Sequence, residues 1–413
     1  MRELGRYPDF LKLLVGQGVS EIGSVATRTA LPIAAVVALG AGPLEMGILV
    51  ASSSVALIGV GLAAGAWVDR LPRRPLMIAA DLCRAAVIAT IPLAAVAGVL
   101  TIELLYVVAF ASAALGAFFD AAYRAYPPVV VPRERLVEAN SALSGASSVA
   151  EMTGPSLAGA LVQLLSAPFA LLIDAISFVV SAISLGLIRA TEPPARPTAE
   201  REPLLREIGA GLSYLARESS LRVIALSAFV GMFFGNFFAS LYTLYAIREL
   251  GLSPLVLGVI ISAGGVGGLV AVALAGPLAR RFGIGPTIVG AEIVGSAFAL
   301  LIPLAGGPYA ALFLFVPQLI GDGIATVAGI NAITLRQALA PPRMLGRVNA
   351  TMNVLTDGVA PVGAVLGALI AEAAGIRVAV WVAVLGGLAG ALLVLLPSPL
   401  LRTRGLPQPN VST

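Results

Sequence analysis

Apolar residues fill this chain in long blocks, and each block ends at a short cluster of arginine, proline, glycine or acid. The blocks reach about twenty residues or more, the length a helix needs to cross ~30 Å of hydrocarbon. They predict membrane-spanning helices at roughly 11–38, 44–67, 76–98, 102–124, 139–165 and 168–189. A second set is predicted at roughly 222–248, 254–279, 286–306, 309–335, 346–371 and 376–396. The expected fold class is an all-α membrane protein with 12 transmembrane helices.

A polar stretch from Ala190 to about Ser220 divides the spans into two sixes. Its first part, TEPPARPTAEREP at 191–203, is dense in proline and charge and reads as a linker. The part that follows has Leu204, Leu205, Ile208, Leu212 and Leu215 at helical spacing. That spacing predicts an amphipathic helix, lying on the membrane face or capping the bundle. The expected layout is a first bundle at 1–190, a linker with its helix at 191–220, a second bundle at 221–400 and a tail at 401–413.

The arginines orient the spans. With the N-terminus inside, Arg248 and Arg377 fall in outer loops, and Arg28 and Arg84 fall within spans. The other 22 of the 26 basic residues lie on the inner side. Such an excess marks the cytoplasmic side, so a multi-pass protein of the plasma (inner) membrane with both termini in the cytoplasm is expected. The first block is too long to be the core of a cleavable signal.

The two sixes repeat one another. A shift of 211 residues superposes Pro43 on Pro254, Gly47 on Gly258, Gly65 on Gly276, Arg70 on Arg281, Pro75 on Pro286 and Pro92 on Pro303. A shift of 209 superposes Pro132 on Pro341, Leu136 on Leu345, Asn140 on Asn349 and Gly154 on Gly363. The halves therefore read as duplicates in parallel orientation, giving two pseudo-symmetric six-helix bundles. In transporters of this layout, substrate binds near the midplane at the repeat interface.

Composition then removes whole classes of chemistry. Hydrophobic residues make up 58% of the chain and charged residues 12%, about half the charge of a soluble domain. Histidine is absent, Cys83 is the only cysteine and Lys12 the only lysine. There is thus no imidazole base, intrachain disulfide, metal cluster or P-loop lysine. No enzyme and no metal site is expected. The net charge of +4 is dispersed over loops, which fits topology better than nucleic-acid binding.

The stretch GAWVDRLPRRP, at 65–75, then acquires a meaning. Gly65, Asp69, Arg70, Arg73 and Arg74 resemble the loop signature of the major facilitator superfamily, with Pro72 where that family often has glycine. Gly145, Gly154, Pro155 and Gly159 resemble, in part, the antiporter motif of its drug exporters. TRTALP at 27–32, DLCRA at 81–85, LLIDAISF at 171–178 and PPRMLGRVNA at 341–350 look like the branch of macrolide efflux proteins and the enterobactin exporter.

The resemblance implies a secondary exporter of amphipathic small molecules working by proton antiport and alternating access. It would be a monomer among membrane lipids, with no cofactor and the proton gradient as energy source. A dedicated exporter of a siderophore or other metabolite is the alternative, and a non-transporting sensor or scaffold the remote one. The resemblance also implies gating roles. Asp69 would cap the start of the eleventh span and pair with Arg347, and Gly65 would permit close helix approach. Gly154 and Pro155 would form a hinge; a purely structural kink is the other reading.

Charges within the spans complete the candidate site. Each costs at least ~2.5–3.5 kcal/mol at mid-membrane, so each needs a reason. Glu21, Arg28, Glu151, Asp174, Asp322 and Asp357 are the proton or substrate candidates. Glu21 stands near Ser24, where the family commonly has an aspartate. Neutralised staples between helices are the plainer reading of the paired charges, including Asp81 with Arg84 and Asp120 with Arg124. Seven of the chain's 25 aromatic residues fall within 229–245. Of these, Phe234, Phe238, Tyr242 and Tyr245 share a stripe. Phe234, Phe238 and Tyr242 are expected to line a cavity for a large apolar ligand.

Overall fold

The structure, a computed structural model, describes residues 4–68, 71–192 and 204–406. Asp69, Arg70 and most of the expected linker lie outside the described residues. The described chain is helical, without strands. Helices α1 (Pro8–Ala38), α2 (Pro43–Val68), α3 (Arg73–Val96), α4 (Ile102–Arg124), α5 (Leu136–Leu165) and α6 (Ala167–Gly186) are the first six spans. The amphipathic helix is α7 (Leu204–Arg217). Next come α8 (Ser219–Leu244), α9 (Pro254–Phe282) and α10 (Ile284–Phe298). The tenth span is broken into α11 (Ala310–Val316) and α12 (Asp322–Leu339) by a π-helical turn, Pro317–Gly321. The last two are α13 (Pro342–Ala374) and α14 (Ile376–Leu395).

Among the described residues, eleven helices are long and apolar enough to cross a membrane. The predicted span not among them is α5. It has 30 residues, about 45 Å at helical rise, so length is not the reason. Its hydropathy is lowered by Ser141, Ser144, Ser148 and Glu151, which recur every three or four residues and are all exposed. That spacing puts them on one face.

Contacts divide the chain into two compact units: Met1–Ala199 with Gly251–Ser262, and Glu200–Leu250 with Ala263–Thr413. In the first unit α1 packs against α5 and α6. Small residues make this possible where lipid leaves little hydrophobic drive between helices. A Cβ at Gly16 would lie 2.7 Å from the Ser184 Cβ, and one at Gly23 would lie 2.9 Å from the Ser177 Cβ. One at Gly154 would lie 2.6 Å from Val25 Cγ1. Alanine at any of the three would therefore push two helices apart.

In the second unit α8 takes the place of α1 and packs against α13 and α14, but the seam is reversed. The glycines sit on the partners, and α8 supplies the bulk. A Cβ at Gly367 would lie 2.8 Å from Phe237 Cδ1, and one at Gly386 would lie 2.8 Å from Phe234 Cδ1. Phe237 is 2% exposed and packs with Leu241, Ala371, Ala379 and Ala383. Much of the aromatic cluster on the seventh span is therefore core.

The duplication also shows at helix junctions. Pro132 and Pro341, which the 209-residue shift superposes, both stand extended before a helical turn, with ψ of 157° and 147°. Ser166 and Gly375 obey the same shift and cap α6 and α14. Their φ, ψ pairs are 75°, 158° and 96°, 152°. That region is open to glycine and strained for serine.

Helix α7 caps the second unit. Leu215 is 2% exposed, and the Tyr214 hydroxyl donates to the Leu339 carbonyl at 3.1 Å. A Cβ at Gly211 would lie 2.5 Å from the Arg347 carbonyl oxygen on α13. The helix packs on the second unit, as the capping reading expects.

Candidate functional site

The first unit concentrates charge at membrane depth, and it does so in two environments. The outer environment is open. The Arg28 Nη2 on α1 meets Glu151 Oε1 on α5 at 2.6 Å, with side chains 62% and 54% exposed. Such a pair would be costly if it faced hydrocarbon. The α5 stripe of Ser141, Ser144 and Ser148 lies on the same face. In water such a pair contributes only about 0–1 kcal/mol, so it opens at little cost.

The inner environment is closed. Asp81 on α3 is fully buried and Asp174 on α6 is 2% exposed. Arg84 Nη1 lies 3.9 Å from Asp81 Oδ1, and its guanidinium carbon sits 3.9 Å from the centroid of the Phe178 ring. Its Nη2 donates to Ser24 Oγ at 3.2 Å. Ser177 Oγ donates to Asp174 Oδ1 at 3.0 Å. Stripping one member from such a set leaves buried charge uncompensated, at a cost of roughly 3–5 kcal/mol. This set staples α1, α3 and α6.

Several sequence expectations meet the structure here. Glu21 is half-buried on α1, and Arg28 meets Glu151. Asp120 and Arg124, spaced as an i,i+4 pair, both stay exposed and form no ion pair. Asp81, Arg84 and Ser24 belong to the charged centre although the spacing of Asp81 and Arg84 reads as a local pair. The signal was in Ser24: a hydroxyl where the resemblance expects an acid is free to take Arg84.

The gating candidates fall into three groups. Gly65 lies in the last turns of α2, while Asp69 and Arg70 lie outside the described residues. Arg73 and Arg74 serve the first unit itself. Arg73 Nη1 donates to the Ala125 carbonyl at 3.1 Å, just after α4. Arg74 Nε donates to the Leu185 carbonyl at 2.8 Å, and its Nη2 to the Gly186 carbonyl, at the end of α6. The backbone amides of both arginines donate to Glu192, at 2.8 and 2.6 Å. Cations thus meet helix carbonyl ends and an acid meets a helix amino end, the sense that the helix dipole favours. Glu192, which the sequence places in a linker, is the cap of α3.

Gly154 and Pro155 belong to two seams. Gly154 meets Val25 on α1. A Cβ at Gly258, in the first turns of α9, would lie 3.0 Å from the Pro155 carbonyl carbon. Beside it Ser156 and Ser262 exchange a hydrogen bond between hydroxyls at 2.6 Å.

The second unit holds a smaller polar set. The Tyr242 hydroxyl donates to Gln318 Oε1 at 3.1 Å, and Gln318 Nε2 donates to Asp322 Oδ2. Gln318 stands in the π turn and Asp322 opens α12, so the irregular turn delivers both; such turns are frequent at functional sites. A Cβ at Gly264 would lie 2.8 Å from Asp322 Oδ2. The Phe238 ring lies 5.0 Å from that of Tyr242, whereas Phe234 is seated against α14. Asp357 stands apart on α13, half-buried, with Thr356 Oγ1 at 3.4 Å from its Oδ1. Glu292, on α10 beside Gly231, is a further acid within a span; neither motif nor local pairing marks it in the sequence.

Two bundles with charge and polar groups at membrane depth are the geometry of a transporter, and comparison with known proteins agrees. The chain is 24% identical over 378 residues to macrolide efflux protein A of Streptococcus pyogenes, covering 89% of this chain and 90% of that protein. It is 26% identical over 349 residues to the multidrug efflux pump Tap of Mycolicibacterium fortuitum, covering 81% and 82%. Its fold is similar to that of the nucleoside transporter NupG in mutant form. The TM-score is 0.77 at 12% identity, over 94% of this chain and 98% of that one. The family model described as Major Facilitator Superfamily matches residues 13–360. The chain is a multi-pass membrane transporter rather than an enzyme, and it belongs to the Major Facilitator Superfamily.

Proposed function

We propose that this transporter exports amphipathic small molecules across the plasma membrane in exchange for protons, with both termini in the cytoplasm. The exposed Arg28–Glu151 pair carries the reading. Without histidine, carboxylates are the side chains within these spans suited to take up and release a proton. In this reading Glu151 carries the proton, and taking it up releases Arg28. Return of the empty carrier delivers that proton inside, and the pair re-forms as substrate binds. Phe238 and Tyr242 supply aromatic surface for an apolar ligand. Similarity to relatives named macrolide and multidrug efflux proteins supports the substrate class.

A second reading, export of an anionic metabolite such as a siderophore, is favoured by the 62% exposure of the Arg28 side chain. A susceptibility panel in a pump-deleted bacterial host separates the two. Raised tolerance to macrolides or tetracyclines supports drug export; unchanged tolerance with secretion of a siderophore precursor supports the second reading. In proteoliposomes, export is expected to need an imposed proton gradient and to collapse with a protonophore. Export persisting on a sodium gradient alone would refute proton coupling. The gate role implied for Asp69 predicts slower transport by Asp69→Asn at normal expression.

A further inference from the structure

An apolar groove in the second unit has no part in the transport cycle proposed above. It lies among α9, α10 and α12 and has a volume of about 730 Å³. Ala271 and Val327 form a buried floor, while Val270, Leu274, Val294 and Ile320 form exposed walls. Along α9 it extends from Gly267 to Phe282, a run of about 22 Å at helical rise. That exceeds roughly 15 Å, the hydrocarbon depth of one leaflet. At Gly290 the groove is open, since a Cβ there would meet nothing within 4 Å.

One end of the groove is basic. Arg280 and Arg281 occupy the last turn of α9, and both are exposed; Arg281 stands on the groove's face, whereas Arg280 turns to the far face, its Nη1 beside Gly276. The Arg281 guanidinium carbon lies 5.4 Å from the centroid of Phe282, itself a lining residue. The end of the chain adds two more cations. The Gly285 amide donates to the Thr403 carbonyl at 2.9 Å, and the Ile284 amide to the Arg404 carbonyl at 3.3 Å. These bonds bring exposed Arg402 and Arg404 to the same turn. They also satisfy the first amides of α10, so the positive character rests on side chains. None of the four arginines has an acidic partner among the described residues.

An apolar channel one leaflet deep with unpaired cations at its mouth has the chemistry of a lipid with an anionic head. We propose that the groove binds an anionic phospholipid of the arginine-rich leaflet, one acyl chain lying against α9, α10 and α12 and the phosphate diester meeting Arg281. A free phosphate has no use for the groove, and a zwitterionic lipid, whose phosphate is balanced by its own ammonium, gains less from the cations. Juxtamembrane arginines attract anionic lipid by about 1 kcal/mol each.

The test is native mass spectrometry of the detergent-purified full chain with phosphatidylglycerol or phosphatidylcholine of identical acyl chains. Phosphatidylglycerol is expected to bind more tightly. Arg281→Gln should weaken it roughly fivefold and change phosphatidylcholine binding far less. Gly290→Leu should weaken both lipids by filling the groove; Leu274→Trp, on an exposed wall, repeats that test if the first variant is not recovered folded. Equal binding of the two lipids would overturn the proposal. So would phosphatidylglycerol binding that survives both the arginine and groove variants. Displacement by glycerol 3-phosphate as effective as by whole lipid would assign the anion to a head-only site, and would also overturn it.

Discussion

The two units share a frame and differ in what fills it. Ser166 and Gly375 stand at the same junction, and Pro132 and Pro341 open the same helix. In the first unit, however, glycines on α1 and α5 let helices close around Asp81, Arg84 and Asp174. In the second, glycines on α13 and α14 receive Phe234 and Phe237 from α8. One centre of packing is ionic and the other aromatic. The duplication preserved backbone geometry, which every copy needs, and released the interior chemistry, which only one copy needs.

Breaking each centre should expose this difference. The largest effect is expected from Arg84→Leu, which leaves Asp81 and Asp174 buried without their cation. A loss of roughly 3–5 kcal/mol is expected, seen as a sharp fall in yield and thermal stability of the purified protein. A variant as stable as the parent would remove the staple role. A middle effect is expected at the junctions. Ser166→Gly should stabilise by roughly 1 kcal/mol by relieving backbone strain, and Gly375→Ser should destabilise by a similar amount. Shifts of the same sign in thermal melting would contradict their equivalence. The smallest effect belongs to Glu249→Gln. Arg377 meets Glu249 at 2.9 Å, but the side chains are 43% and 29% exposed, and Arg377 keeps its bond to the Ala305 carbonyl, so about 1 kcal/mol or less should be lost.

How much of this was legible beforehand follows from the range of each interaction. Span positions and the amphipathic helix rest on local hydropathy, and helices stand where the pattern put them. Partners across the bundle do not rest on local pattern. Glu21 and Arg28 share a face, yet seven residues separate them by about 10.5 Å along the axis, too far to pair directly. The close approach of α5 at Gly154 brings Glu151 instead. The aromatic stripe reads as a cavity lining until Gly367 and Gly386, more than a hundred residues away, turn part of it into core. Arg73 and Arg74 carry topology in the sequence; only the fold shows the carbonyl ends they satisfy. Tyr242, Gln318 and Asp322 meet because a π turn, invisible in hydropathy, rotates the tenth span.

The proposed division of labour places proton coupling in the first unit, at Glu151, and packing with substrate contact in the second. The direct test follows proton movement in proteoliposomes with a pH-sensitive dye while substrate is supplied. The account predicts that substrate drives proton movement in the parent protein and in Asp322→Asn, and that Glu151→Gln abolishes it while substrate still binds. Proton movement undiminished in Glu151→Gln would contradict it.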